Sequence, residues 1–103
     1  SGWENITGSN NAMLGAYSLY LNQGGKENTG TGTITLYNNT SGNYNTANGS
    51  GALYNNTTAG NNTAVGYSSL YNNRTGESNT AVGYQSLYSN TSAGNNTGIG
   101  NLA

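Results

Sequence analysis

The sequence predicts an all-β fold, a parallel β-solenoid or β-roll of about six 17-residue coils, and three observations point there. The first is a fixed period. NTAVGYSSLYNN starts at Asn62 and returns as NTAVGYQSLYSN at Asn79, 17 residues on. Steps of 17 in either direction reach NTANGSGALYNN at Asn45, NTGTGTITLYNN at Asn28, NAMLGAYSLYLN at Asn11 and NTGIGNLA at Asn96, with no insertion. The second is that residue types, beyond hydropathy, recur at each position, as in an array whose units stack on copies of themselves. The third is negative. Gly and Asn are poor helix formers, and no apolar stripe of 3.6-residue period survives.

Numbered from its leading Asn, each coil falls into place in a single repeat array over 1–103. A partial coil spans 1–10, full coils start at 11, 28, 45, 62 and 79, and a partial coil spans 96–103. Positions two to four, such as Thr63–Val65, are short and partly β-branched and read as a first strand. Position two is Ala12 and then Thr29, Thr46, Thr63, Thr80 and Thr97. Position five is always glycine: Gly15, Gly32, Gly49, Gly66, Gly83 and Gly100. Such a column marks a corner with positive φ or too little room for a Cβ. Positions six to ten, such as Tyr67–Tyr71, read as a second strand. The turn formers NNTTAGN over 55–61 mark a second, wider corner.

Stacked coils lie about 4.8 Å apart, so six make a rod roughly 29 Å tall. Position nine, Leu19, Leu36, Leu53, Leu70 and Leu87, supplies the core ladder. Position four, with Leu14, Val65, Val82 and Ile99, is expected to help it, weakened where Thr31 and Asn48 intervene. Alternation places positions two and four on one side of the first strand, and seven and nine on one side of the second. The Asn columns at positions one and twelve are suited to side-chain ladders. A core this thin predicts association with further chains, laterally or end to end.

Composition mostly excludes. The 103 residues hold no Cys, His or Pro, only 5% charged residues, and a formal net charge of -1. Disorder usually goes with high charge and few aromatics, whereas here Tyr recurs on schedule. Two cations are too few to displace counterions from nucleic acid. No apolar run has the length of a membrane span, and nothing at Ser1 reads as a signal peptide. Neither nucleic acid nor membrane insertion is therefore expected.

The motif NTAVGYxSLYxN…AGNNTAVG resembles the short Gly- and Asn-rich repeats of phage tail-fibre proteins and of trimeric autotransporter adhesin heads. The likeness runs from Asn11 onward and is carried best by residues 62–101. In the adhesin heads a similar N-S-V-A-I-G pattern folds as a left-handed parallel β-roll, with three chains around one axis. This chain writes N-T-A-V-G, with Thr where that family has its first Val. The resemblance implies extracellular display, a trimeric rod, and attachment to surface molecules or to other cells. It implies no catalytic residue.

Several columns are candidate sites, each with a plainer reading beside it. The aromatic column at position ten, Trp3, Tyr20, Tyr37, Tyr54, Tyr71 and Tyr88, suits either sugar stacking or cover for a sheet or subunit interface. Tyr67 and Tyr84 at position six widen that patch. The Thr column suits either an ice-ordering face or β-branched strand filler. N-x-[ST] sequons fall on position twelve at Asn5, Asn39, Asn56, Asn73 and Asn90. They read either as a glycan stripe or as turn chemistry in a chain rich in Asn and Thr. No metal site is expected, because calcium-binding β-roll repeats need Asp at fixed spacing and Glu4, Glu27 and Glu77 never cluster. No catalytic site or cofactor is expected either: Ser has no partner base, and no helix follows the Gly-rich stretches to form a phosphate site.

Residues 1–10 occupy positions eight to seventeen of a coil and residues 96–103 positions one to eight, so together they make one coil with a single overlap. Head-to-tail polymerisation into a surface filament, with the Asn column as its candidate glycosylation site, is one expectation. A fragment of a longer array is the other. The leading functional expectation is a structural and adhesive segment of an extracellular fibre. Its expected partners are copies of itself, as a homotrimer or a filament, with surface glycans as candidate ligands.

Overall fold

A computed structural model describes residues 7–103. The fold is all-β: one sheet of six parallel strands, stacked in chain order as a β-solenoid of about five turns. The strands are β1 (Ala12–Leu14), β2 (Thr29–Thr31), β3 (Thr46–Asn48), β4 (Thr63–Val65), β5 (Thr80–Val82) and β6 (Thr97–Ile99). Every strand pairs with the equivalent residues of the next coil, Thr63 with Thr80 and Val65 with Val82, for example. The repeat and the ladder are thus the same object. The molecule measures 35 × 23 × 17 Å.

Position three fills the interior on the strand side. Ala47, Ala64 and Ala81 are fully buried, with Gly30 and Gly98 in the same column. The expectation that position four supports the core is corrected: Leu14 is 73% exposed and Ile99 70%. The reason is steric. Leu at position nine reaches across the coil, and a Cβ at Gly30 would meet Leu19 Cδ1 at 2.9 Å and Thr35 Oγ1 at 2.8 Å. Only small residues fit beneath that Leu, so the larger position-four side chains take the outer face. Leu19, Leu36, Leu53 and Leu70 are fully buried and Leu87 packs against them, as the core ladder requires.

The second stretch is also corrected. Positions six to eleven form a tight turn instead of a strand. Position-nine Leu residues have φ between 48° and 52°, and position seven is left-handed too, from Tyr17 at 59° to Gln85 at 50°. Positive φ breaks strand alternation. Position eight (Ser18, Thr35, Ala52, Ser69) and position nine both point inward, while Tyr17 at position seven is exposed. The backbone still joins coil to coil here: Leu53 N–H donates to Ser69 O at 3.0 Å and Asn55 N–H to Tyr71 O at 3.1 Å. Continuity of the ladder through the turn replaces a second sheet.

The glycine corner follows from the same crowding. Gly66 has φ 128°, and a Cβ there would lie 2.5 Å from the carbonyl oxygen of Gly83 in the next coil. Neither the dihedral nor the space admits another residue.

Candidate functional site

The repeat presents three regular features: a buried amide spine, an aromatic stack and an outer sheet face. The spine is built from two Asn columns. At position twelve, Asn39 Nδ2 donates to Asn22 Oδ1 (3.0 Å), Asn56 to Asn39 (2.8 Å), Asn73 to Asn56 (3.2 Å) and Asn90 to Asn73 (2.9 Å). The second Nδ2 proton goes to the carbonyl at position fifteen of the same coil, Asn56 to Ala59 O at 3.0 Å, for example. At position one, Asn62 Oδ1 accepts from the Asn79 backbone N–H at 2.9 Å, and Asn62 Nδ2 donates to Gly76 O at 2.8 Å. Each buried amide has its Nδ2 and its Oδ1 engaged, which offsets the cost of removing it from water.

This spine settles where the position-twelve sequons lie. Asn39, Asn56 and Asn73 are fully buried, with Nδ2 bonded on both protons, so attachment of a glycan would require turning that side chain out of the coil. These residues hold the interior together. Asn90 is half-buried and bonded in the same way, and Asn5 lies outside the described residues. Sequon residues that do face solvent are Asn48, Asn61 and Asn95.

The position-ten rings stack face to face along the rod. Centroid separations are 5.1 Å for Tyr20–Tyr37, 5.2 Å for Tyr37–Tyr54, 4.9 Å for Tyr54–Tyr71 and 5.3 Å for Tyr71–Tyr88, with interplanar angles of 16° or less. Both faces of Tyr37, Tyr54 and Tyr71 are therefore taken by neighbouring rings. A sugar ring needs an open face, so the interior of the column offers edges and hydroxyls only. Loss of hydration in the stack, then repulsion from neighbouring phenolates, raises the Tyr71 and Tyr37 phenols above their ordinary range. Trp3 lies outside the described residues. Tyr67 and Tyr84 form a separate exposed pair at 5.6 Å. Beside the main stack, Asn38, Asn55 and Asn72 at position eleven make an outer amide row, Asn55 Nδ2 reaching Asn72 Oδ1 at 3.3 Å.

The outer sheet face carries position two, mainly Thr, and position four in parallel rows. The signal for this orientation was present in the letters. Position three is small in five of six coils, whereas position four ranges over Leu, Thr, Asn, Val and Ile, a variety that an outward position tolerates.

Lys26, Glu27, Arg74 and Glu77 are exposed on the wide corner. Among the described residues, no group of three or more His, Cys, Asp or Glu side chains could hold a metal ion, and no helix is long and apolar enough to cross a membrane. No known family model, curated protein or solved structure matches the chain.

Proposed function

We propose that the chain is a structural and adhesive segment of an extracellular fibre, of the phage tail-fibre or adhesin-head kind, without catalysis. The observation that supports this reading is how the inward positions are used. Leu and Asn columns pack or bond to the same column one coil away, and the inward Ser hydroxyls bond the position-three carbonyl of the next coil, which leaves no interior room for a substrate. Such material transmits force and sets spacing along one axis, as repeat rods do. Its recognition chemistry belongs on the outer faces. Immunogold electron microscopy of the native source with an antibody to this chain is the test. Label along surface appendages or virion tails is expected, and label confined to the cell interior overturns the reading.

A second reading rests on the outer face, where Thr29, Thr46, Thr63, Thr80 and Thr97 stand in register beside position four. A flat row of hydroxyls and methyls at ladder spacing suits ordered water, hence ice binding. Ice-growth inhibition that disappears in Thr63→Tyr and Thr80→Tyr would support it, and no inhibition by the parent chain would remove it.

A further inference from the structure

The chain holds nine tyrosines, and the coil decides which of them can react with one another. The position-ten rings are half-buried, and Tyr37, Tyr54 and Tyr71 are each held between two others at separations from 4.9 to 5.3 Å. Tyr17 is exposed but turned edge-on to Tyr20 of its own coil, at 5.2 Å and 65°. Tyr44 is exposed, with no ring beside it among the described residues. Tyr67 and Tyr84 differ from all of these. They are 54% and 50% exposed, occupy one column of two consecutive coils, and lie 5.6 Å apart at 10°. Among the described residues no third ring packs on either, because position six is Ser50 in the coil before and Asn101 in the coil after.

The backbone fixes this pairing. Gly83 N–H donates to Val65 O at 2.8 Å and Gln85 N–H to Tyr67 O at 2.9 Å, so Tyr84 is bracketed by two rungs to the coil of Tyr67. Tyr84 O in turn accepts from Leu102 N–H at 2.8 Å. The two side chains therefore start one coil spacing apart, about 4.8 Å, for as long as the ladder holds. Their rings are free to tilt, since each is half in solvent and stacked on one face only.

We infer that Tyr67 and Tyr84 form an oxidative cross-linking site, which a one-electron oxidant (a haem peroxidase supplied with hydrogen peroxide) joins into a single dityrosine within the chain. Each phenol gives one electron and one proton to the oxidant and becomes a phenoxyl radical, its spin shared onto the Cε carbons beside the oxygen-bearing carbon. One Cε of each ring then forms the new C–C bond. Each coupled carbon releases its hydrogen as a proton, and the oxygen of the same ring takes one up, which restores both phenols. Two tyrosines and one hydrogen peroxide thus give one dityrosine and two waters. The bond requires the rings to meet edge to edge. A biphenol folded to one side has its attachment points about one coil spacing apart, so Tyr67 and Tyr84 reach that geometry by tilting, with the backbone in place. Tyr54 cannot tilt without unstacking Tyr37 and Tyr71. In a chain without Cys, the product is a covalent tie between coils, and it restrains the unfolded chain as a disulfide does. It needs no particular location of the rod, only the oxidant.

A dilute solution of the full chain, treated with a haem peroxidase and limiting hydrogen peroxide, supplies the test. Expected are dityrosine fluorescence and a monomer mass lower by two hydrogens. After denaturation, trypsin cuts behind Arg74, between the two residues, so fragments 27–74 and 75–103 should stay joined. Fragment sequencing should place the bond at Tyr67 and Tyr84. The product should melt at least about 5 °C above the untreated chain. Tyr84→Phe keeps the stacked ring and should lower the intrachain product at least about tenfold, because the held partner is gone. Ser50→Tyr combined with Tyr67→Ser keeps the number of phenols but sets the exposed pair two coils apart. Its product should fall likewise, with circular dichroism matching the parent's.

No dityrosine at all, a bond located at Tyr71 and Tyr88, or cross-links between chains in place of the intrachain one would each overturn the site. So would equal product from the urea-unfolded chain, or a paired variant that couples as well as the parent. None of these results touches the fibre reading, which fails on the location of immunogold label instead.

Discussion

Leu70 combines full burial with φ 51°, a dihedral that bulky residues seldom adopt. It persists because the turn must aim Ser69 and Leu70 at the same interior, which an extended backbone cannot do. The equivalent left-handed Leu recurs in every complete coil, so each is braced by the one above. Gly66 is braced differently, by the absence of a side chain. Gly66→Ala is expected to destabilise the fold by at least about 3 kcal/mol, combining strain at φ 128° with a clash against Gly83. A urea midpoint near the parent's would contradict that steric account.

The stacked phenols make stability depend on alkaline pH. Tyr37 and Tyr71 are raised in the folded chain, foremost by loss of hydration and then by their ring neighbours, relative to about 10 when unfolded. Above pH 10 the unfolded chain releases these protons first, so the stabilisation is whole below about pH 10 and disappears as pH rises through the folded values. Thermal melts between pH 8 and 12 should fall above pH 10, with tyrosinate absorbance lagging behind that of free Tyr. Titration of all Tyr residues together near the free value, with a flat melting temperature, would contradict this.

At the scale of the element, the amide spine governs the wide side of the coil. Asn56 touches four groups: Asn39 Oδ1, Ala59 O, Asn73 Nδ2 and Asn62 Nδ2. Asn56→Ala strands them in a dry interior and should cost about 2 to 4 kcal/mol, measured by chemical denaturation. A loss below 1 kcal/mol would mean that water replaces the amide. Strand β2 contains the opposite case, because Thr31 Oγ1 is buried with no partner. Thr31→Val keeps the β-branched shape and removes the stranded hydroxyl, so a gain of about 1 kcal/mol is expected. A lower melting temperature would reveal a bound water at that oxygen. Ladder formation by Asn was legible from its columns, but the depth of position twelve was not. The same letters N-x-[ST] describe a surface sequon and a buried bonded amide.

For the whole molecule, stability depends on each coil finding a neighbour in the same register. Coils 62–78 and 79–95 are nearly identical where they stack, so a second copy of residues 62–78 placed between Ser78 and Asn79 should be accepted. It should raise the melting temperature, since it adds one more set of coil-to-coil pairs without a new kind of end. Insertion of 16 residues should unfold everything beyond the join, because it turns inward positions outward. Far-ultraviolet circular dichroism with thermal melts distinguishes the two. A 17-residue insertion that lowers stability would show that the solenoid is not built of independent nearest-neighbour layers.

The sequence alone determined the period, the all-β class, the parallel order and which residues stand above which, because identical letters 17 apart must stack if the chain coils at all. It also carried the Leu ladder and the glycine corner. Only the tertiary structure decided which way each column points. Position three lies inside and position four outside because Leu19 and its equivalents already fill the space a larger residue at three would need. Positions eight and nine both face inward because left-handed φ breaks the two-residue alternation that a sequence pattern assumes. Repetition fixes neighbours along the axis, whereas direction across the coil is settled by volume and by backbone dihedrals, which no single column records.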